Sequence, residues 1–370
     1  MIGTEKVYST ICVNKEKAER EDKKMTGKER ALRAIHGEET DRPSVLPSID
    51  VAYAPGCIGR KVGECFRSPE LHAKALMGAL NAFPELDGLY VNLCLSDTKL
   101  TKLPNGLYDD GHGLHWFVPE DDVGTVKYHE IEELDDERMD EISSLQFGIL
   151  ETFAAIEPHY KENYLIIPGI TGPYSQLVFM MGLENVMIMM YDEPDELKEA
   201  IAKRVKHAIS WLDELIALGA EAVWIGEGAA SSSLISPACY AEFVAPYAKE
   251  VISAAQERGI PCFMHVCGNI VPSIKEIAST GLTAIDVDYM VPMGLVREHC
   301  RPGTCIKGNL NPMDLLNKSS DEVYEICRNI YRETTGPMIL GTGCLVAPHT
   351  PKENIDAMVR ASKSVAESRN

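Results

Sequence analysis

The sequence predicts an α/β protein, specifically a (β/α)8 TIM barrel with an inserted loop and hairpin region over its mouth. The first observation is that short β-rich runs alternate with long helical patterns, which is typical of a parallel sheet. The second is that there are eight such runs, the number that closes a barrel. An open doubly wound sheet is the alternative, because hydrophobic periodicity does not determine closure. The predicted strands are 44–49, 88–93, 164–168, 222–226, 262–266, 284–287, 304–307 and 338–341.

Helical patterns follow these strands and carry recognisable start signals. A capping-box pattern from Thr26 to Glu29 predicts that the folded part begins there. Three later helices are predicted to start where a capping residue precedes a proline at the first helical position. Those pairs are Ser68-Pro69, Ser236-Pro237 and Thr350-Pro351. The principal predicted helices are 195–218, 237–258, 320–334 and 351–368.

The chain is predicted to be one catalytic domain with two additions. Residues 1–24 are rich in charged side chains and are expected to form an N-terminal extension. Residues 25–370 form the predicted barrel domain. The stretch 100–150 interrupts the alternation and contains turn signals such as Asn105-Gly106, so we expect inserted hairpins rather than a second domain.

Composition excludes several classes of partner. Lys and Arg number 36 against 56 Asp and Glu, and the net charge of −20 argues against binding to nucleic acid or to an anionic membrane. No apolar run approaches the ~18 residues of a membrane span, and the N-terminus lacks a secretory signal pattern. The 11 scattered cysteines are expected to be reduced in a cytoplasmic protein. We expect Cys57, Cys239 and Cys327 to be buried and inert.

One histidine and two cysteines form the predicted functional site. His265 and Cys267 follow one apolar run, and Cys344 follows another between glycines, so all three lie at predicted strand exits. Active sites of parallel barrels lie at that end of the strands. Residues two apart in an extended chain point to the same side, so His265 and Cys267 can bind one ion. One imidazole and two thiolates suit Zn²⁺ and leave a fourth position open. The alternative is a core histidine with two small core cysteines, and the strand-end placement favours the metal.

Further polar residues follow the predicted strands and are expected at the same mouth. Asp288 is the candidate fourth ligand, and Asp286 competes with it for this role. The alternative for Asp288 is a solvated aspartate or one that orients the histidine. Glu227 is predicted to contact substrate, orient a ligand or face solvent. The candidate catalytic residues are Glu227, Asp288 and Asn309. The other strand-end candidates are Asp50, Cys94, Asp97, Thr171 and Tyr174. His112 and His115 are expected on the loop surface, and Ser231–Ser233 are expected to form a loop rather than to supply a nucleophile.

Several short motifs follow one another along the chain: Met25–Arg30, Asp41-Arg42-Pro43, Gly172-Pro173, Ser236-Pro237 with Phe243 and Pro246, His265–Gly268, Gly308–Pro312 and Gly343-Cys344. In this order and spacing they resemble the uroporphyrinogen decarboxylase superfamily. The resemblance extends from about Met25 to the C-terminus. Within that superfamily, the His-x-Cys pair and the distant cysteine are similar to the zinc-dependent methylcobamide:coenzyme M methyltransferases.

This resemblance implies a TIM barrel and a methyl transfer. It implies His265, Cys267 and Cys344 as zinc ligands, with an acidic residue near Asp288. Enzymes of that branch move a methyl group from a methylated corrinoid protein to a zinc-bound thiolate such as coenzyme M. The expected cofactors are therefore Zn²⁺ and a methylcobamide presented by a corrinoid-binding protein.

Other functions compete with this prediction. The reverse transfer, from a methoxyl, methylamine or thioether donor to the corrinoid, is the first alternative. A uroporphyrinogen decarboxylase-like enzyme is the second, although an arginine-rich motif after Asp50 for tetrapyrrole carboxylates is missing and Arg60 and Lys61 are a poor substitute. A non-catalytic zinc scaffold, or a partner of the corrinoid protein without transfer activity, is the third, and the open ligand position argues against it.

Overall fold

The computed structural model describes residues 25–98 and 100–368. The predicted N-terminal extension, residues 1–24, lies outside the described residues. The barrel strands are β1 (Ser44–Val45), β2 (Gly88–Val91), β7 (Leu165–Thr171), β8 (Val223–Gly226), β9 (Cys262–His265), β10 (Ala284–Asp286), β11 (Cys305–Leu310) and β12 (Met338–Thr342).

The eight strands form one parallel sheet in the order β1-β12-β11-β10-β9-β8-β7-β2. Each barrel strand from β2 to β11 pairs with the next barrel strand along the chain, and the last strand, β12, pairs with the first, β1. This order confirms the TIM barrel over the doubly wound alternative, where the order reverses.

Two aspartates join the ends of the sheet, where β1 meets β2. At the N-terminal end of the strands, the Asp87 N–H donates to the Val45 carbonyl (3.0 Å), and the Val45 N–H donates to the Asp87 carboxylate (2.6 Å). At the opposite end, the Asp50 carboxylate accepts from the Leu93 N–H (3.0 Å). The seam is therefore closed by carboxylates at both ends as well as by main-chain atoms.

The helices surround this sheet. They are α1 (Gly27–His36), α2 (Val62–Phe66), α3 (Pro69–Ala82), α4 (Ser144–Ala155), α5 (Pro158–Asn163), α6 (Pro173–Met181), α7 (Leu183–Asp192), α8 (Pro194–Ala217), α9 (Pro237–Phe243), α10 (Ala245–Glu257), α11 (Ile274–Ser279), α12 (Met293–His299), α13 (Pro312–Asn317), α14 (Ser320–Glu333) and α15 (Lys352–Glu367). None of the helices in the described part of the chain is both long and apolar enough to cross a bilayer.

Helix α1 covers the N-terminal end of the barrel. Its Ala31 and Ile35 belong to the same buried cluster as Leu46, Ile167 and Phe263 from the strands. The Thr26 hydroxyl begins this helix by accepting from the Glu29 N–H (3.1 Å). The interior is thus closed by apolar packing at one end, which leaves the C-terminal ends of the strands as its mouth.

Two of the predicted helix boundaries are wrong. The predicted helix 237–258 is two helices, α9 and α10, separated at Val244 (φ −121°, ψ −58°). Pro246 lacks the N–H that a continuous helix would need, so the chain breaks just before it. Thr350 does not cap α15: its hydroxyl donates to the Ala347 carbonyl (2.8 Å), and the helix starts after Pro351.

The segment between β2 and α4 forms a separate antiparallel sheet. Its strands pair in the order β3-β4-β5-β6, with a register shift between His115 and Trp116. The Asp110 carboxylate organises the turn between β4 and β5 by accepting from the N–H groups of His112 and Leu114. Helix α4 begins at Ser144, so the predicted insertion 100–150 includes the first part of this helix. The strands are β3 (Thr101–Lys102), β4 (Tyr108–Asp109), β5 (Leu114–Phe117) and β6 (Thr125–His129).

Candidate metal centre

The fold brings His265, Cys267 and Cys344 together at the barrel mouth. His265 is the last residue of β9, and Cys344 follows the end of β12 by two residues. One ligand atom from each of the three residues lies within 4.8 Å of the others, and His265 Nε2 is 3.3 Å from Cys267 Sγ. Among residues 25–98 and 100–368, this is the only group of three or more potential metal ligands with that geometry.

Two glycines allow the backbone to place Cys267 and Cys344 beside His265. Gly268 turns the chain after Cys267 with a φ of +75°, in the left-handed region that favours glycine. At Gly343, a Cβ atom would lie 2.3 Å from the Tyr289 nitrogen, so only glycine permits this approach of the two loops. The glycines beside both cysteines are therefore requirements of the site's backbone.

The His265 ring is fixed in one orientation. Its Nδ1 lies 3.0 Å from the Asp286 carbonyl oxygen, and the ring stacks on Trp224 with centroids 5.7 Å apart. A carbonyl can only accept, so Nδ1 carries the proton and Nε2 presents its lone pair to the sulfur atoms. This is the arrangement that a metal-ligating histidine needs.

The Cys344 thiol differs from the other buried cysteines in its electrostatics. A hydrogen bond from the Cys267 thiol lowers the pKa of Cys344, which favours a thiolate there, whereas the same interaction and burial raise the pKa of Cys267. By contrast, burial alone raises the pKa of Cys262, at the start of β9. Of the cysteines predicted to be inert, Cys327 is fully buried with its pKa raised to about 12, and Cys57 and Cys239 are half-buried.

A cavity of about 190 Å³ opens beside the three ligands. Its wall is largely apolar, with Trp224 and Phe179 among the contributing side chains. No arginine or lysine lies among its lining residues in the described part of the chain. The lining consists of Ser48, Tyr90, Asn92, Leu93, Leu145, Thr171, Phe179, Trp224, Gly226, Gly228, His265, Cys267, Asp286, Cys344 and Leu345.

The Glu227 carboxylate lies at the start of helix α6. It accepts from the N–H groups of Tyr174 (3.3 Å) and Ser175 (3.0 Å) and from the Ser175 hydroxyl (2.8 Å). Burial raises its pKa to about 7, although these donors act in the opposite direction. Gly172 makes room for the carboxyl group, since a Cβ there would lie 2.2 Å from it. Glu227 thus anchors α6 to β8, and its catalytic role stays a prediction.

Asp288 and Asn309 hold the loop that follows β10. The Asp288 carboxylate accepts from the N–H groups of Gly268 (2.8 Å) and Met290 (3.3 Å). The Asn309 amide donates to the carbonyls of Val291 (2.7 Å) and Asp288 (3.4 Å). Asp288 is not a member of the three-residue cluster. Its position supports a role in orienting the turn after Cys267, with Asn309 supporting the same loop.

Lys307 was not recognised from the sequence. Its Nζ contacts both carboxylate oxygens of Asp286 at 2.9 Å, so the second candidate carboxylate is also occupied. The only signal available was a lysine inside the apolar run of a predicted strand, which is uncommon because buried lysines need a partner.

The remaining strand-end candidates are spread over different environments. Thr171 lines the cavity, Cys94 and Tyr174 are buried in the core, and Asp97 is exposed. Asp50 is fully buried and pairs with His72 Nε2 at 2.8 Å, a partner that the sequence did not indicate.

The two histidines expected on the loop surface lie in the antiparallel sheet region. That expectation is wrong for His112, which is 5% exposed and lies 3.2 Å from Glu141. His115 is half-buried, and its Nε2 lies 3.1 Å from Glu130 Oε1. Both therefore have acidic neighbours within the insertion.

If zinc occupies the candidate metal centre, replacing Asp288 with alanine should weaken its binding by about 10–100-fold, because the turn carrying Cys267 loses the acceptor for the Gly268 N–H. Competition with a chelator measures this. Asp97→Ala is the control, because Asp97 is exposed and does not belong to the metal cluster; this variant should bind zinc like the unaltered protein. An Asp288→Ala protein with unchanged zinc affinity contradicts the assignment, and a loss confined to Asp286→Ala identifies the other carboxylate as the important one.

Proteins similar to this chain include methyltransferases and decarboxylases. The methylated-thiol–coenzyme M methyltransferase of Methanosarcina mazei is 29% identical over 216 residues, 58% of this chain and 57% of that protein. The methylcobamide:CoM methyltransferase MtbA of Methanosarcina acetivorans is 25% identical, over 58% of this chain and 63% of its own length. A uroporphyrinogen decarboxylase of Anaeromyxobacter sp. is 26% identical, over 59% and 64% respectively. The chain thus spans less than two thirds of each of these relatives.

Solved structures share the fold. A methyltransferase from Methanosarcina mazei superposes with a TM-score of 0.76 at 21% identity, covering 92% of this chain and 99% of that one. A B12-independent methionine synthase from Shewanella sp. W3-18-1 gives a TM-score of 0.52 at 13% identity, covering 80% and 88%.

The family model described as uroporphyrinogen decarboxylase (URO-D) matches residues 26–365. That match begins at the capping residue of α1 and ends within α15, so it includes all eight barrel strands and the three clustered ligands. The chain therefore belongs to the uroporphyrinogen decarboxylase family.

Proposed function

We propose that this protein is a zinc-dependent methyltransferase that moves a methyl group from a methylated corrinoid protein to a small thiol. The observation that carries the proposal is the cluster of His265, Cys267 and Cys344 beside a cavity at the barrel mouth. One nitrogen and two sulfur donors suit zinc, and three protein ligands leave a position for a substrate. The methyltransferase relatives support the same chemistry at the level of family resemblance.

The donor set fits zinc in its chemistry as well as in its geometry. Zn²⁺ bound there would lower the pKa of a substrate thiol and hold it as the nucleophilic thiolate. Cys267 and Cys344 contribute two negative charges, so the substrate sulfur keeps its electron density. His265 is held by the Asp286 carbonyl and Trp224, so it would not need to reorient on binding.

The mouth has features that suit a protein partner carrying the corrinoid. Tyr289 and Met290, which follow Asp288, are 40% and 53% exposed, and Met313 at the start of α13 is 52% exposed. Contiguous exposed apolar surface is typical of a docking site, and these three residues are exposed large apolar side chains that follow β10 and β11. The apolar wall of the cavity beneath would exclude water from the reacting thiolate.

Decarboxylation of a tetrapyrrole is the second candidate, since a uroporphyrinogen decarboxylase is among the similar proteins. Recognition of several carboxylates calls for arginine or lysine side chains. The described cavity lining contains neither, and its volume is about 190 Å³. These two features favour the methyl transfer.

The zinc-loaded protein should demethylate methylcobalamin or a methylated corrinoid protein when a suitable thiol is present. The change from methyl-Co(III) to Co(I) is followed by absorbance, with coenzyme M and homocysteine tested beside tetrahydrofolate. Methoxylated, methylamine and thioether donors are tested with Co(I) for the reverse direction. Turnover only in that direction selects the first alternative, whereas no methyl exchange with any corrinoid contradicts both.

A further inference from the structure

A row of three side chains crosses the barrel interior beneath the candidate metal centre. His265 on β9, Asp286 on β10 and Lys307 on β11 are direct cross-strand neighbours in the parallel register. Side chains in register on adjacent strands lie on the same face of the sheet. Asp286 therefore lies between a candidate zinc ligand on one side and an ammonium group on the other.

Lys307 is fully buried and its charge is directed at Asp286. Its Nζ contacts the two carboxylate oxygens at 2.9 Å each, donates to the Ser48 hydroxyl at 2.7 Å and lies 4.7 Å from the centre of the Tyr90 ring. Burial lowers the pKa of Lys307, and the adjacent Asp286 charge acts in the opposite direction. The pair thus has full hydrogen bonding without solvent, which a buried ion pair needs.

Asp286 nevertheless belongs to the wall of the cavity that contains the sulfur atoms. It lines that space together with Cys267 and Cys344, and its main-chain oxygen accepts from His265. A carboxylate oxygen is a regular zinc ligand, so this side chain is chemically suited to the fourth position. The other nearby carboxylate, Asp288, is occupied by two main-chain N–H groups.

We propose that Lys307 is a positioning residue that holds the Asp286 carboxylate in an ion pair, away from the metal. The fourth zinc position thereby stays open for the substrate thiol. This inference rests on the proposed zinc site. Without Lys307, Asp286 would be a buried carboxylate with no cation beside it, a state that costs far more than a paired one. The carboxylate would then be free to turn into the cavity that it lines, where it would bind zinc as a fourth ligand and close the coordination with a protein oxygen.

The test compares the unaltered protein with Lys307→Met, Asp286→Asn and the double variant. Methionine keeps much of the lysine volume without the charge, and asparagine keeps the aspartate shape. In zinc-loaded Lys307→Met, X-ray absorption should detect one more oxygen neighbour around zinc, and a chelator should remove zinc about 10-fold more slowly. Binding of 2-mercaptoethanol, measured by the added sulfur neighbour and by calorimetry, should weaken about 10-fold or more.

The double variant should restore both the open fourth position on zinc and the affinity for the thiol, because asparagine is a poor zinc ligand. A purely structural role for Lys307 would leave the zinc shell of Lys307→Met unchanged, and that result overturns the inference. Failure of Lys307→Met to fold in excess zinc also overturns it, since zinc is expected to bind the Asp286 carboxylate there. Absence of zinc from the unaltered protein is a different result, which contradicts the proposed function itself.

Discussion

Zinc binding should be weakened by about 100-fold or more when Cys344 is replaced with alanine. Zinc binding in small protein sites is worth about 10–16 kcal/mol over four ligands, so one ligand contributes about 3 kcal/mol, which corresponds to about 100-fold in affinity. Cys344 is one of only two sulfur donors in the cluster, and it is the thiol whose pKa is lowered by its neighbours. Its loss therefore removes the donor that is best prepared to bind as a thiolate.

Elemental analysis and titration against a chromogenic chelator measure this effect. The control is Cys327→Ala: this cysteine is fully buried in α14, away from the cluster. That variant should bind zinc like the unaltered protein, even if it is less stable. Equal zinc content in the two variants would mean that the cluster is not the metal site.

Replacing Asp87 with asparagine should lower the free energy of unfolding by about 3–5 kcal/mol. The Asp87 carboxylate is fully buried and contacts Arg30 at 2.5 Å and Arg42 at 3.0 Å. It also accepts from the Val45 N–H at the seam between β1 and β2. The substitution leaves the two guanidinium groups without this charge and weakens the point where the barrel closes.

Urea denaturation provides the measurement, with Asp213→Asn as the matched control. Asp213 makes an equally short contact of 2.5 Å with Arg258, but its side chain is 55% exposed. Solvent screening limits the value of such a pair to about 0–1 kcal/mol. The two variants should therefore differ by several kcal/mol, and similar losses would show that burial of the Asp87 pair does not govern its contribution.

The barrel could be predicted because its signals are local in the sequence. Each strand is a short apolar run, and the helices begin at residues such as Thr26 and Ser236, whose hydroxyls accept from a nearby N–H group. The errors also have local causes that were overlooked, since Pro246 divides one predicted helix and Thr350 bonds backwards to Ala347.

The sequence by itself determined the eight-stranded architecture and the set of chemically suitable ligands. His265, Cys267 and Cys344 could be grouped because parallel strands place their C-terminal ends at one mouth, whatever the side-chain details. Only the tertiary structure decided which partner each carboxylate binds. Glu227 accepts from the N–H groups at the start of α6, Asp288 accepts from the Gly268 N–H, and Asp286 pairs with Lys307. The physical reason is that a buried charge is stabilised by whichever donors lie within about 3 Å, and those donors come from strands and helices far apart in the chain.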